Sequence, residues 1–169
     1  GTTFDLKDSL QYIVETISLK LQYDNCVIYM LESEQKVFCP VASNLMDENM
    51  AKECFSIENG VLNEMISNLR PVIISDEMLH TGKSELLLHY KTALVVPIIC
   101  DSRFLGLLLA RRLSAYTFSA DEIDTFIILS HTIESIVKNS ELFDATKKQI
   151  KKLTVLYELS RLVTSVLDF

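Results

Sequence analysis

The sequence predicts an α+β domain built on an antiparallel sheet, and three observations carry that reading. An apolar stripe at helical spacing opens the chain. Two pairs of short apolar runs, each pair joined by a few polar residues, read as β-hairpins. A capping signature then begins a long stretch without helix breakers at the end.

Leu6, Leu10, Ile13, Ile17 and Leu21 recur at steps of four, three, four and four, which is one face of an amphipathic helix. Asp5 is placed to cap it, and Asp8 sits in the first turn, where the helix dipole favours negative charge. The period then shortens. Cys26 to Leu31 and Val37 to Ala42 are runs rich in β-branched and aromatic residues around a polar Glu32-Ser33-Glu34-Gln35 turn, a first hairpin. Leu94 to Cys100 and Phe104 to Ala110 flank Asp101-Ser102-Arg103, a second; a connection that short joins only antiparallel strands. Pro97 has no N–H to give a ladder, so its strand is expected to be irregular or at an edge there.

Between the hairpins, Ser43 to Thr92 form a long excursion. It holds a short helical piece near Asp47–Cys54, a turn at Glu58-Asn59-Gly60, a helical stretch from Val61 to Leu69, a strand from Pro71 to Ser75, and a polar loop through Thr81-Gly82-Lys83-Ser84. An insertion of that length between strands of one sheet has to pack over a face of it, and pocket walls are commonly made that way.

Ser119 and Glu122 form an S-x-x-E capping box, with Phe118 and Ile123 as its hydrophobic staple. No glycine follows Gly106 and no proline follows Pro97, so residues 119–169 can continue as one helix. At 1.5 Å per residue it would be roughly 75 Å long, against a radius of gyration of ~15 Å for such a domain. It must project outward or break and fold back. Leu142, Thr146, Gln149, Leu153, Leu156, Ser160, Val163 and Leu167 keep the 3.5-residue period of a coiled-coil seam, with Leu159, Leu162 and Val166 widening the stripe. A parallel homodimer through this helix is therefore expected, with the first helix alongside. Charge divides the chain similarly: residues 1–140 carry net −8 and residues 141–169 net +1.

Composition excludes several classes. Of the 169 residues, 49% are hydrophobic and 23% charged, which is globular rather than disordered. A net charge of −7 disfavours phosphate backbones, so no nucleic-acid partner is expected. The longest apolar run, Ala93 to Cys100, is far below the ~20 residues of a membrane span. No direct membrane insertion is expected, and with no basic leader ahead of an apolar run, a cytoplasmic location is. The four cysteines, at 26, 39, 54 and 100, lack the paired spacing of zinc ligands, and His80, His89 and His131 are scattered, so no metal site is expected. The cysteines read as reduced core residues.

The ordered set of motifs resembles the GAF domain family, small ligand-sensing modules of signalling proteins. Phe55-Ser56-Ile57-Glu58-Asn59-Gly60 through Leu69-Arg70-Pro71-Val72-Ile73-Ile74-Ser75-Asp76 is similar to the family's glycine turn, short helix, "R-P-V" strand and closing aspartate. Thr92 to Ile98 with Leu105-Gly106-Leu107-Leu108 resembles its central hairpin, and Phe118 to Phe143 its final helix. The likeness spans about residues 5–143. It implies a five- or six-stranded antiparallel sheet with terminal helices on one face and a ligand pocket on the other.

Catalytic and cofactor motifs fall short of their patterns. Thr81-Gly82-Lys83-Ser84 lacks the earlier glycine of a P-loop, since position 77 is glutamate. Ser130-His131-Thr132-Ile133-Glu134 lacks the adjacent glutamate and following proline of a phosphoacceptor box. Relatives that bind cyclic nucleotides share an N-K…F-x-x-x-D-E signature; here Arg111-Arg112 stand near the first part, and Asp121-Glu122 follow Phe118 one residue early. No Cys-His pair offers a bilin attachment point, only Cys54 suits a thiol-based reductase, and His80 and His89 read as solvated rather than haem-binding.

Three residues remain as candidate ligand contacts: Asp76 at the end of an apolar strand, Tyr29 on the first strand, and Thr92 entering a later one. The combined expectation is a non-catalytic sensory domain over residues 1–140, with an unknown small-molecule ligand and no assignable cofactor. Residues 141–169 are expected to be a signalling helix leading towards a further domain. The alternative is a passive dimerisation module with a degenerate pocket.

Overall fold

The computed structural model describes residues 6–32, 34, 36–45, 53–56, 58, 60–76 and 86–167. Asp5, the helical piece near 47–54 up to residue 52, and the Thr81–Ser84 loop lie outside them. In chain order the elements are α1 (Leu6–Leu21), β1 (Asn25–Glu32), β2 (Val37–Ser43), β3 (Phe55–Ser56), α2 (Gly60–Asn68), β4 (Val72–Ser75), β5 (Thr92–Cys100), β6 (Arg103–Arg112) and α3 (Ala120–Leu167). The six strands form one antiparallel sheet in the order β3-β2-β1-β6-β5-β4.

Both expected hairpins form. The β5–β6 turn carries positive φ at Asp101 (49°) and Ser102 (64°), the pair of left-handed residues that a tight two-residue turn requires and that matches the strand twist. β4 pairs with β5 only from Thr92 to Val95, and the β5–β6 register slips between Ile98 and Ile99. Pro97 therefore sits where β5 has lost its second neighbour, and its missing N–H leaves no rung unmade. Gly106 is required by a close approach: a Cβ there would lie 2.1 Å from the Tyr29 carbonyl oxygen.

Side-chain alternation splits the sheet into two buried faces. Val27 and Tyr29 of β1, Ala93 and Val95 of β5, and Leu107 and Leu109 of β6 share one core with Phe38, Phe55, Met65, Ile74, Leu86 and Leu87. The intervening Cys26, Ile28, Leu94, Val96, Leu108 and Ala110 are buried as well, facing the other way. A strand covered on both faces reads as a continuous apolar run, which is what Val95 and its neighbours show. α1 packs on β1 and β2, burying Leu10, Val14 and Ile17. It ends without glycine: Gln22 takes φ 55° and donates its N–H to Ser18 O.

The chain divides into two compact units, residues 1–134 and 135–169. α3 runs through as one helix, opened by the expected box: Ser119 N–H donates to Glu122 Oε1 and Glu122 N–H to Ser119 Oγ, both at 3.1 Å. In the second unit, nine large apolar side chains from Leu142 to Val163 are each more than half exposed. Among the described residues, no helix is long and apolar enough to cross a membrane.

Two cysteine assignments are corrected. Cys26 and Cys100 are buried free thiols, and burial pushes the Cys26 thiol up to about 12. Cys39 and Cys54 are not reduced core residues: they are disulfide-bonded to each other, with Cα atoms 4.3 Å apart. The two-residue strand β3 is too short to leave a periodic signal, so no pairing is legible in residue order. Once Phe38 opposes Phe55, the next rung brings Cys39 and Cys54 face to face.

Candidate functional site

A buried polar centre lies on the sheet face away from α1. Arg111, the last inward residue of β6 on that face, has no exposed surface, and beside it Asn25 and Tyr29 are equally buried. The antiparallel pairing of β1 with β6 places Arg111 opposite Asn25. Its guanidinium makes three hydrogen bonds: Nη1 donates to Asn25 Oδ1 (3.0 Å), Nη2 to Tyr29 Oη (3.0 Å), and Nε to the Leu86 carbonyl (2.8 Å). The cation also lies 5.6 Å from the Tyr29 ring centroid and 5.7 Å from that of Tyr90.

All of these partners are neutral. Among the described residues no carboxylate comes within ion-pair distance of Arg111, so a full charge is held in the core by dipoles and ring faces alone. Such burial costs several kcal/mol unless hydrogen bonds compensate. One acidic influence on both tyrosines is Glu53, whose Oε2 is buried without a hydrogen-bond partner. Its charge raises the pKa of Tyr29 and Tyr90, adding to burial, which is the larger cause for both; Arg111 works in the opposite direction. Phe55 closes the centre from the β3 side, its ring 4.8 Å from Tyr29 and 5.6 Å from Phe38.

The three candidate contacts are not brought together. Tyr29 is in the centre, with its hydroxyl accepting from Arg111. Thr92 faces the opposite side of the sheet: its hydroxyl donates to Ser114 O (2.9 Å) and accepts from Tyr116 N–H (3.1 Å), so backbone consumes it. Asp76 is exposed and extends the β4–β5 ladder through its N–H to Lys91 O. Sequence reasoning passed over Asn25, Tyr90 and Glu53, and read Arg111 only as a departure from a motif. An arginine directly after the apolar run Leu107 to Ala110 looks like a strand end reaching solvent; only alternation counted through to position 111 would have placed it inward.

Two hollows are lined by described residues. One of about 530 Å³ lies at the α2–β4 junction against Met65, Arg70 and Val72. One of about 280 Å³ lies between β5 and α3, with Pro97, Ile127 and His131 in its wall. Neither touches Tyr29 or Arg111, over which Leu86 and Leu87 are fully buried.

On the helix side, Arg112 stacks between Tyr116 (4.0 Å) and Tyr23 (4.5 Å). Both phenols donate to the Glu122 carboxylate. Burial works to raise the Glu122 pKa, but the bonds from Tyr23, the Ser119 N–H and Tyr116 outweigh it and leave the carboxyl below its usual value. This cluster ties the end of α1, the end of β6 and the start of α3 together.

The profile of the family described as "GAF domain" matches residues 5–137. Among solved structures, the chain is similar to the GAF domain of a phosphoenolpyruvate-protein phosphotransferase from Coxiella burnetii (TM-score 0.72, 18% identity, covering 85% of this chain and 89% of that one). It is similar to residues 122 to 287 of a methyl-accepting chemotaxis protein (0.70, 16%, 85% and 94%). It is also similar to free methionine-R-sulfoxide reductase from Neisseria meningitidis (0.68, 15%, 82% and 81%). Among curated proteins there is no significant match.

Proposed function

Because the chain belongs to the GAF domain family, we propose that it is a non-catalytic regulatory domain, which pairs through its C-terminal helix and passes to that helix the state of the sheet's polar face. Support comes from the family's occurrence in sensory and signalling proteins and from one structural neighbour, part of a methyl-accepting chemotaxis protein. The observation that carries the reading is the exposed apolar surface of residues 142–163. Such a stripe on a continuous helix gains most by meeting a second copy of itself, since the hydrophobic term scales with the apolar area removed from water. The ligand in this reading is a small molecule that enters beneath residues 86–90 and competes with the Leu86 carbonyl and Tyr29 for Arg111. In this reading the protein works in the cytoplasm.

The pairing is tested by sedimentation at tens of micromolar. The chain is expected to run as a dimer, and Leu153→Asp with Leu156→Asp as a monomer of unchanged fold. If both run alike, α3 is not the pairing element. The ligand half is tested by thermal shift, where a ligand at 100 times its Kd adds about 2.7 kcal/mol. If no metabolite raises the Tm, the module is a passive dimeriser.

A second reading is favoured by one observation. The Cys39–Cys54 disulfide supplies thiol chemistry of the general kind a reductase uses, and one structural neighbour is such an enzyme. Incubation with free methionine-R-sulfoxide and a dithiol is expected to give no turnover; methionine formation would replace the regulatory reading with an enzymatic one.

A further inference from the structure

We propose that Cys39 and Cys54 form a reversible thiol–disulfide exchange site for a dithiol reductant, and that its state sets how firmly the β3 wall of the Tyr29–Arg111 centre is held. The consequence rests on the reading of that centre as the regulated site; the exchange chemistry stands apart from it.

The cross-link is placed unlike a structural staple. β3 is two residues long at the end of the sheet order and pairs with β2 through Val37–Ser56 and Phe38–Phe55. The disulfide is the next rung, so it supplies a third fastening to a strand that has only two. A 169-residue chain with a continuous core on each sheet face does not need covalent help to fold. Cys54 is exposed and Cys39 half-buried, whereas Cys26 and Cys100 are buried. Cys54 is thus the most exposed of the four cysteines and the expected point of attack for a thiolate from solvent.

The exchange balances in two steps. A thiolate of the reductant attacks Cys54 Sγ, a mixed disulfide forms, and Cys39 leaves as a thiolate that takes up a proton. The reductant's second thiol then attacks its own sulfur in the mixed disulfide and releases Cys54, which is protonated in turn. The protein gains two electrons and two protons, and the dithiol becomes a disulfide. A disulfide that cycles in this way is also the kind a reducing compartment tolerates.

The effect is transmitted by contacts on both sides of Cys54. Phe55, next in the chain, packs on Tyr29 and Phe38, and Tyr29 accepts from Arg111. Glu53, the preceding residue, carries the unpartnered carboxylate oxygen whose charge acts on Tyr29 and Tyr90. Releasing position 54 frees the Phe55 ring and the Glu53 carboxylate together. The bond closes a separation of 15 residues, so its loss should favour opening of β3 on the order of a hundredfold.

Alkylation of the native chain followed by mass spectrometry tests the exchange. No label is expected before reduction; after dithiothreitol or a dithiol oxidoreductase, two labels at Cys39 and Cys54, with Cys26 and Cys100 protected; after reoxidation by a small-molecule disulfide, which takes the two electrons and two protons and leaves as its thiols, none. Labelling at 39 and 54 without reductant, or none after reductant in the absence of denaturant, overturns the proposal. Hydrogen exchange then tests the wall. Amides of Phe55 and Ser56 should exchange about a hundredfold faster on reduction while β5 and β6 keep their rates, and Cys39→Ser with Cys54→Ser should match the reduced form. Unchanged rates overturn the gating role, and an equal rise across the whole sheet makes the bond a global staple. Sedimentation in both redox forms separates these outcomes from the pairing reading, which can fail while exchange persists.

Discussion

Arg111 and Arg112 are consecutive on β6, carry the same charge, and live in opposite circumstances. Alternation turns the first into the face covered by residues 86–90 and the second towards the helices. Arg111 is fully buried among neutral acceptors. Arg112 is half-buried between two tyrosine rings whose hydroxyls converge on the Glu122 carboxylate. The helix-side cluster contains its own carboxylate, whereas among the described residues none lies within ion-pair distance of Arg111. The two arginines therefore differ in what holds them: neutral acceptors in the core for Arg111, and ring faces beside a carboxylate bound by both phenols for Arg112.

The largest effect is expected from Arg111→Met. It strands Asn25 Oδ1 and Tyr29 Oη in the core, and losing bonds donated by a charged group should cost about 3–4 kcal/mol in urea unfolding. A loss below ~1 kcal/mol would mean that the buried charge contributes as much strain as support, and the contrast would collapse. Gly106→Ala comes next. Its Cβ, 2.1 Å from the Tyr29 carbonyl, has to push β1 off β6 beneath the same centre, at about 2–3 kcal/mol, and should raise hydrogen exchange in β1 more than in β4.

Arg112→Met should cost only ~1 kcal/mol, because two ring contacts and one bond to Gln22 O at a partly wetted site are lost. Equal losses at 111 and 112 would erase the distinction. The smallest effect is one of pH. The Glu122 pKa in the fold lies below its unfolded value of 4.5. Its stabilisation is therefore complete above that value and disappears as pH falls through the folded pKa. Glu122→Gln should flatten the decline in Tm below pH 4.5; a slope unchanged in Glu122→Gln would remove Glu122 from the cluster's balance.

Much of this was legible in residue order because it depends on local geometry. The hairpin at Asp101-Ser102, the capping box at Ser119 and Glu122, and the continuity of α3 follow from turn chemistry and the lack of breakers, which act within a few residues. Tyr29 was visible as a phenol on an inward strand. The α1 stripe was legible too, except that Val14 rather than Ile13 is its fully buried member, a difference of one helical position set by how α1 leans on β1 and β2.

What only the tertiary structure decided is which distant groups share a face. Thr92 and Tyr29 are both strand residues, yet parity counted through β5 and β6 puts them on opposite sides, and no local rule supplies that count across strands. Asn25 reaches Arg111 across 86 positions of sequence, and Cys39 meets Cys54 because a two-residue strand fixes the register. Sequence determines the period of each element through the backbone's own geometry. Pairing register, set by the packing of both sheet faces at once, determines which arginine is held by neutral acceptors in the core and which beside a carboxylate.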